Sequence, residues 1–393
     1  MRKRTWARLL AAAMALYLLL PLFGCGAQDG TPQSAPQSAA ETERLVKLCK
    51  VWGYVKYTHS AFLLGQKDWD EELLALVPQV RERETQEEVN ALLHDWFVSL
   101  GEIDYGRGNR KPSKVNKEDW VIEADTSWTK DAEYLGEDLT ADLAQLPEEL
   151  PSLRKEDKAP VFFDEGPGTP NFSNEQDRAG DYDDIAFRLL GLFRLWNGIE
   201  YYFPYLHLMD RSWESCLPDA IESMMAGTDQ ASYEEAIYAL TGCLQDNHVM
   251  VVNSESKGST AGKYFGSYMC GYDPSVLQVS KSFYPWEKPV VVLMDKTTLS
   301  FSEMAVTIFN TDENVTVLGE NSMGSDGNVV YLPLPGGISV SFTSLGCYEV
   351  DGTQTQRTGI TPDIPVSRTI QGVKEGRDEL MEAAIAYIRE AGE

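Results

Sequence analysis

The chain has 393 residues, more than one ordinary domain holds, and 43% of them are hydrophobic, which is enough to bury sizeable cores. It carries 61 acidic residues against 34 basic ones, a formal net charge of -27. Nucleic acids and anionic membrane surfaces both require a basic face on their partner, so this balance argues against both. The charge does not identify a substrate, because acidic surfaces mostly keep proteins soluble.

The start of the chain resembles a bacterial export signal. Positive residues 2–4 precede an apolar core, residues 9–22, that is too short for a membrane span. The following Leu-Phe-Gly-Cys resembles a lipobox, in which Cys25 is lipidated. An ordinary cleaved signal peptide is the alternative. We expect an exported protein, lipid-anchored through Cys25 to the extracytoplasmic face of a bacterial cell membrane, with residues 26–42 as a flexible tether.

Two segments, residues 43–104 and 183–255, share a pattern of aromatic and apolar residues. Their stretches 44–104 and 188–248 align without a gap at an offset of 144. The matched pairs are Arg44/Arg188, Leu45/Leu189, Leu48/Leu192, Trp52/Trp196, Tyr57/Tyr201, Trp69/Trp213, Leu73/Leu217 and Leu100/Leu244. The helical spacing in each copy predicts two related units of about three helices. We expect the shared Trp and Tyr residues to form core; a ligand cage is the alternative.

The two copies differ at their ends. The second ends in Gln-Asp-Asn-His, which places His248 where the first copy has Asp104. The other histidines are His59, His94 and His207. A lone histidine is usually structural, so by itself His248 is only a candidate general base.

The rest of the chain divides into a linker and a region of alternating strands and helices. Residues 105–182 are acidic and rich in Pro and Gly, which predicts a linker with short strands at 120–122 and 160–163. Residues 256–393 form an α/β pattern. Here we predict strands over 290–294, 315–319, 329–332 and 338–342, and helices over 301–310 and 377–388.

Ser300 lies between the Val-rich strand and the helix that begins at Phe301. A hydroxyl in that position lies beside free backbone N–H groups and the positive end of the helix dipole, which can stabilise an oxyanion. The alternative is a structural N-cap, with Glu303 completing a capping box. The local spacing favours the cap, and the rest of the chain favours a nucleophile.

Several motifs resemble the tail-specific (C-terminal processing) protease family, which includes tricorn protease. Ser-Phe-Ser-Glu at 300–303 is similar to its nucleophile turn. Two motifs follow it in the family's order: Gly319-Glu320 leading into 324–328, and the turn 359–363. The stretch 188–249 precedes it and resembles the helical region before the protease core. The resemblance covers about half of the chain. It implies a mixed fold (α+β or α/β), in which the duplicated N-terminal helical units precede a crotonase-like α/β protease core of the ClpP/crotonase type.

The resemblance implies serine peptidase chemistry on peptides and on unstructured or C-terminal protein segments. The family has two catalytic styles. A Ser–Lys dyad would place its lysine at Ser325, and no lysine is near. The tricorn-like style takes its histidine from an Asp-x-His pattern, which Asp246-Asn247-His248 matches. The resemblance therefore implies Ser300 as the nucleophile and His248 as its general base.

Two further roles follow from the tricorn-like pattern. The backbone N–H of Phe301 would be an oxyanion donor. Where the pattern has a Glu, this chain has Gln356, which can orient a partner by hydrogen bonding but supplies no charge. No cofactor is predicted. A metal-dependent hydrolase is a weak reading, because no His-x-x-x-His or similar ligand pair occurs.

The chain also departs from the family. Between the histidine segment and the nucleophile strand, family members carry a PDZ-like module and a Gly-rich strand that helps to build the oxyanion hole. Only residues 249–286 intervene here, and neither element is recognisable, which predicts a truncated core. Losing one oxyanion donor costs roughly a hundred- to a thousandfold in rate. The alternative function is a catalytically degenerate lipoprotein that binds peptides or protein partners through its helical repeats.

Overall fold

A computed structural model of the protein describes residues 35–104, 124–147, 158–163, 169–253, 288–349 and 352–391. The α-helices in these ranges are α1 (Ala35–Thr58), α2 (Ser60–Leu63), α3 (Trp69–Arg81), α4 (Gln86–Ser99), α5 (Ala132–Leu135), α6 (Glu137–Leu143), α7 (Ile185–Tyr202), α8 (Leu217–Ala226), α9 (Gln230–Thr241), α10 (Phe301–Phe309), α11 (Ile370–Glu375) and α12 (Glu379–Ala391). The strands are β1 (Phe162–Phe163), β2 (Pro170–Asn171), β3 (Met250–Asn253), β4 (Val290–Met294), β5 (Val315–Gly319), β6 (Val329–Leu334), β7 (Ile338–Thr343) and β8 (Ile364–Pro365). Short 3₁₀ turns lie at Ser127–Lys130, Leu206–Leu208 and Glu214–Cys216.

The expected leader and most of the expected tether lie outside these residues, including the lipidation site Cys25. Helix α1 begins at Ala35, so the end of the segment 26–42 is helical and the flexible tether predicted there is too long. Ala, Gln and Glu are frequent at this start, and all three are good helix formers. None of the helices within the described ranges combines the length and the apolar character needed to cross a membrane.

Polar side chains start the main helices of both aligned segments. The capping residues are Asp68 at α3, Thr85 at α4, Asp184 at α7 and Asp229 at α9. Each side-chain oxygen accepts a backbone N–H that the first helical turn leaves without an intrahelical partner, a contribution of about 1 kcal/mol. The predicted helical content of both segments is confirmed.

Helices α1 and α7 contact each other through residues that the 144-residue offset pairs. Gly53 faces Asn197 so closely that a Cβ on Gly53 would lie 1.8 Å from Asn197 Oδ1. One helical turn away, the rings of Tyr57 and Tyr201 pack edge to face with their centroids 5.7 Å apart. Residues thus meet their own sequence counterparts, which is the contact pattern of a two-fold interface.

Ion pairs repeat this reciprocity. Lys50 Nζ lies 2.6 Å from Glu214 Oε1, and Arg194 Nη2 lies 2.5 Å from Asp70 Oδ2. At the 144-residue offset, Lys50 aligns with Arg194 and Asp70 aligns with Glu214. The basic residue of each long helix, α1 or α7, therefore forms an ion pair with an acidic residue of the other aligned segment. The two pairs differ in burial: Glu214 is 65% exposed, whereas Arg194 is fully buried and also contacts Glu175 at 3.1 Å.

The segment 105–182 is more structured than the predicted linker. It contains α5, α6 and the strand pair of β1 and β2, in which β1 overlaps the strand predicted at 160–163. Helix α6 begins with two acidic residues, which the helix dipole favours, and buries Leu139 and Leu143 one turn apart. The acidic composition of this segment led to the prediction of a linker where the structure has helix α6. The strand predicted at 120–122 lies outside the described residues.

An antiparallel sheet packs on the helices, with strand order β3-β7-β6. The predicted hairpin is confirmed, and its strands are longer than predicted, with Val329 paired to Thr343 and Leu334 to Ile338. Leu332 packs so tightly on α7 that a Cβ on Gly198 would lie 2.5 Å from its Cδ2.

This sheet changes the predicted boundary between the second helical segment and the α/β core. Strand β3 lies before residue 256, yet it pairs with β7, Met250 opposite Ser341. The inward side chains of β6 and β7 join the hydrophobic core of the helices. From Glu41 onward the chain forms one compact unit. Sequence periodicity identifies a strand but not the partner with which it pairs.

A second sheet is parallel, with order β4-β5-β8. Strands β4 and β5 match the predicted bounds and are joined by α10, which ends at Phe309, one residue earlier than predicted. Helix α12 packs Leu380 and Ala384 on Leu318 of β5. The closing helix predicted over 377–388 is shifted to this position, because Gly376 in the left-handed conformation separates α11 from α12. The described chain is thus a mixed α and β protein.

Candidate active site

Ser300 occupies the sharp junction between β4 and α10. Its backbone has φ 58° and ψ -127°, outside the regions that L-residues ordinarily populate. Ser300 and Arg357 are the non-glycine residues with positive φ in the described parts of the chain. Such a conformation costs about 1–3 kcal/mol, and it persists only where surrounding contacts impose it. A serine on a strained strand-to-helix turn is the arrangement that exposes the nucleophile in α/β-hydrolases.

The contacts that impose this turn involve Glu303. Ser300 N donates to the Ser325 carbonyl at 2.9 Å and to Glu303 Oε2 at 3.2 Å. The Glu303 carboxylate is 1% exposed and also accepts from Gly324 N at 2.8 Å, Ser325 N at 2.9 Å and the Ser322 hydroxyl. Glu303 therefore does more than cap α10: it joins the Ser300 turn to the Gly-rich turn.

The start of α10 leaves a donor beside Ser300. Phe301 is the first helical residue, so its N–H has no acceptor within its own helix. The Phe301 side chain is 71% exposed, and it therefore does not cover the helix end. This geometry is compatible with the oxyanion role expected for the Phe301 N–H.

His248 lies between α9 and β3, in a turn closed by its own neighbour. Asp246 Oδ1 accepts from His248 N at 3.1 Å. On the other side, the His248 carbonyl accepts from the Ser341 hydroxyl of β7 at 2.7 Å. These two bonds fix the backbone, and the residue is 8% exposed.

The two ring nitrogens of His248 have different surroundings. Nδ1 lies 2.8 Å from Thr343 Oγ1, 3.5 Å from Ser325 Oγ and 3.7 Å from Asp246 Oδ1. Nε2 is buried and has no hydrogen-bond partner among the described residues. Burial lowers the pKa of His248 from its ordinary 6.5, while the charges of Asp246 and Glu303 oppose the shift. The imidazole is therefore neutral at pH 7, as a general base must be.

Ser325 connects the two candidate residues. Its carbonyl accepts from Ser300 N at 2.9 Å, and its fully buried hydroxyl lies 3.2 Å from Asp246 Oδ1 and 3.5 Å from His248 Nδ1. Within the described ranges no hydrogen bond joins Ser300 directly to His248. Catalytic hydrogen bonds are often long or unformed without substrate, so this spacing does not exclude the pair.

Gln356 is buried next to the residue that bonds the Gly-rich turn, and its side chain makes no hydrogen bond to His248 among the described residues. Its neighbour Arg357 donates its N–H to the Gly324 carbonyl at 2.6 Å. Gln356 is 2% exposed, and neither its Nε2 nor its Oε1 has a hydrogen-bond partner in the described chain.

Asp326 lies next to Ser325 and is a carboxyl with an unusual environment. Burial raises its pKa from 3.8 to about 7, and the nearby charges of Glu303 and Glu349 add to the shift. The hydrogen bond from Gly327 N at 2.7 Å opposes it. Near neutral pH this carboxyl holds a proton part of the time, which limits the negative charge around the site.

Three residues of this cluster have roles that sequence reasoning did not find. Thr343 ends a strand and carries no local motif. Ser325 was noticed only as the place where a lysine is missing. Glu303 was considered only as a helix cap. The described residues contain no group of three or more His, Cys, Asp or Glu side chains arranged to hold a metal ion.

Comparison with known proteins connects this geometry to a family. The model of peptidase family S41 matches residues 232–366, which include most of α9, the antiparallel and parallel three-stranded sheets, Ser300 and His248. This part of the chain is therefore similar to peptidase family S41. The resemblance to tail-specific proteases is thereby confirmed for it.

Individual relatives cover less of the chain. The carboxy-terminal-processing protease of Bartonella bacilliformis is 30% identical over 92 residues, 23% of this chain and 21% of its own length. The tricorn protease structure is 17% identical over 27% of this chain and 11% of its own, with a TM-score of 0.25. The photosystem II D1 C-terminal processing protease is 23% identical over 21% of each chain, with a TM-score of 0.19.

Proposed function

We propose that the protein is a serine peptidase that hydrolyses peptide bonds in peptides or in unstructured or C-terminal protein segments. Ser300 is the nucleophile and His248 its general base. The observation that carries the proposal is the strained Ser300 turn, held at a helix N-terminus within the S41 region and tied through Ser325 to a buried neutral histidine. A helix N-cap ordinarily adopts an unstrained extended backbone, so capping α10 does not explain the strained conformation of Ser300. Strained backbone conformations cluster at functional sites.

The proposed reaction follows from these positions. Ser300 Oγ attacks the scissile carbonyl carbon and transfers its proton to His248 Nε2, the ring nitrogen without a protein partner. The oxyanion that forms accepts from the Phe301 N–H. His248 then returns the proton to the leaving amine, and water hydrolyses the acyl-enzyme by the same route. Burial of the imidazole keeps it neutral and ready to accept a proton.

The finer architecture is also a proposal. The reciprocal contacts of α1 and α7 support two duplicated helical units, which we place before a truncated crotonase-like core. We retain export and lipidation at Cys25 as the expected location. The PDZ-like and oxyanion elements would lie within residues 249–286, and most of these residues are outside the described ranges.

Hydrolysis of an unstructured reporter protein with a free C-terminus tests the function. We expect the full chain to cleave it and Ser300→Ala to lose cleavage without losing its fold. Ser302→Ala is the matched control, because Ser302 is exposed on the same helix turn. Equal cleavage by Ser300→Ala would overturn the assignment. No cleavage by the folded wild-type protein would favour the catalytically degenerate, peptide-binding alternative.

A further inference from the structure

The nearest partner of His248 Nδ1 is a hydroxyl rather than a carboxylate. Thr343 Oγ1 lies 2.8 Å away, whereas Asp246 Oδ1 lies 3.7 Å away, beyond hydrogen-bond reach. Thr343 belongs to β7 and Asp246 to the loop after α9, so two separate elements converge on this nitrogen.

The carboxylate of Asp246 accepts from every described group that it contacts closely. Thr343 N donates to Oδ2 at 2.9 Å. Oδ1 accepts hydrogen bonds from Thr343 Oγ1 at 3.0 Å, His248 N at 3.1 Å and Ser325 Oγ at 3.2 Å. Asp246 is 7% exposed, so these four donors satisfy it almost without solvent.

The direction of these bonds fixes the proton on the imidazole. A hydroxyl has one proton to donate, and both Asp246 Oδ1 and His248 Nδ1 lie within hydrogen-bond reach of Thr343 Oγ1. The ionised carboxylate is the stronger acceptor, so we assign the proton to that bond, and towards His248 the hydroxyl then accepts. The same holds for Ser325, whose hydroxyl also donates to Asp246. Nδ1 must therefore carry the hydrogen, and the lone pair of the neutral ring is on Nε2.

We propose that Thr343 and Asp246 are the positioning pair for His248: Asp246 orients the Thr343 hydroxyl, and that hydroxyl holds the ring as the Nδ1–H tautomer. This inference rests on the proposed function. When His248 Nε2 accepts the Ser300 proton, the Nδ1–H bond to Thr343 stays in place, and the Asp246 charge stabilises the imidazolium through the hydroxyl. No proton moves to Asp246.

Gln356 does not compete for this role in the structure. Both of its polar side-chain atoms lack partners within the described residues, so it neither donates to nor accepts from the ring. A threonine hydroxyl polarised by a buried carboxylate thus serves where the family pattern has a carboxylate.

Nitrogen-15 NMR of the full chain, labelled at histidine, reads the tautomer independently of activity. The His248 signals are assigned as those absent from His248→Gln. At neutral pH we expect a proton-bearing Nδ1 and an unprotonated Nε2, in wild type and in Ser300→Ala alike. An Nε2–H ring in the wild type would overturn the proposal.

Two variants test the pair itself. Thr343→Val removes the acceptor, and we expect the Nδ1–H form to give way to a mixture with Nε2–H. In Asp246→Asn the carboxylate is replaced by an uncharged amide, which is a weaker acceptor. The Thr343 and Ser325 hydroxyls then hold their protons less firmly on residue 246, and we expect the Nδ1–H form to lose population to Nε2–H. Should either variant fail to fold, the other decides. A folded variant that keeps a pure Nδ1–H ring would contradict the proposal.

Rates separate this inference from the proposed function. We expect Thr343→Val to slow fluorophosphonate labelling by about 10–100-fold, as losses of orienting partners do, and Thr343→Ser to recover most of it. Thr311→Val, an exposed threonine, is the matched control. No labelling of wild type with the expected tautomer would reject the peptidase and keep the pair. Labelling at the wild-type rate in Thr343→Val would reject the pair and keep the peptidase.

Discussion

At the scale of single residues, the site depends on two buried carboxylates with separate tasks. Glu303 holds the backbone of the Ser300 turn against Gly324 and Ser325, and Asp246 organises the hydroxyls around His248. Each accepts several hydrogen bonds while remaining almost fully buried. Losing one of them would leave buried donors unpaired, which costs more than a hydrogen bond itself contributes.

Glu303→Gln tests the first task. The amide N–H₂ must face at least one N–H donor, so the variant loses acceptors that the strained turn requires. We expect the free energy of unfolding to fall by about 2–4 kcal/mol, because each unsatisfied buried donor costs about 1–3 kcal/mol. Urea denaturation measures it, with Glu313→Gln, at an exposed position of the loop after α10, as the control. Equal midpoints for both variants would show that Glu303 does not hold the turn.

The pH dependence of activity tests the state of His248. Its pKa lies below the ordinary 6.5 because burial disfavours the charged ring. A general base works when unprotonated, so activity is present above this lowered pKa and is lost as the pH falls through it. We expect the acidic limb of kcat/KM, or of the labelling rate, to have its midpoint below 6.5. A midpoint at or above 6.5 would contradict a desolvated imidazole as the base.

At the scale of elements, the contact of α1 with α7 depends on one glycine. Asn197 inserts its amide where a side chain at Gly53 would lie, and its Nδ2 donates to the Cys49 carbonyl at 3.1 Å and the Phe193 carbonyl at 2.9 Å. Cys49 and Phe193 are themselves counterparts at the 144-residue offset. One asparagine therefore bridges equivalent positions of both helices.

Gly53→Ala should disturb this crossing. Within a helix, alanine is more favourable than glycine by about 1 kcal/mol. The added methyl group would nevertheless clash with Asn197 and push α1 away from α7, and such overpacking costs about 1–3 kcal/mol. We expect net destabilisation, measured by thermal or urea unfolding. In a double-mutant cycle with Asn197→Ala, we expect a coupling of about 0.5–3 kcal/mol. Additive effects would mean that the two residues do not share the crossing.

At the scale of the whole molecule, the buried charges hold three parts of the chain together. Arg194 of α7 forms ion pairs with Asp70 of α3 and with Glu175 of the segment 105–182. Its Nη1 also donates to the Pro333 carbonyl of β6 at 3.0 Å. Glu175 is also paired with the buried Lys56 of α1. The antiparallel sheet that carries Thr343 is thereby fixed to the helices that precede His248.

Matched substitutions should separate the two reciprocal ion pairs. Removing one partner of a buried pair leaves an uncompensated charge and costs about 3–5 kcal/mol, so we expect Arg194→Met to destabilise by that amount. The Lys50 side chain is itself 10% exposed, but Lys50→Met leaves Glu214, which is 65% exposed, in contact with water. We therefore expect a smaller loss than in Arg194→Met, because the remaining charge is solvated rather than buried. Urea unfolding of both variants measures the difference. Similar costs would show that burial does not decide the contribution.

Some of this organisation could be predicted from the sequence and some could not. The strands at 290–294 and 315–319, the hairpin and the helix after Ser300 followed from periodicity and turn residues. Helix α6 was not predicted because its acidic residues are also typical of a linker. The hydrophobic core shared by the helices and the antiparallel sheet was not predicted because local sequence patterns do not identify which strands pair. Ser300 and His248 were proposed as candidates from motifs, whereas Thr343 has no motif, and its position beside His248 is known only once β7 pairs with β3.

The central claim is that Ser300 is a nucleophile activated by His248. The most direct test is fluorophosphonate labelling of the full chain, with the adduct located by peptide mapping, in wild type, Ser300→Ala, His248→Ala and the exposed control His207→Ala. We predict one adduct on Ser300, absent from Ser300→Ala, slowed by about 10²–10⁴-fold in His248→Ala, as expected for loss of a general base, and unchanged in His207→Ala. An adduct on another residue, or a labelling rate that does not depend on His248, would contradict the account.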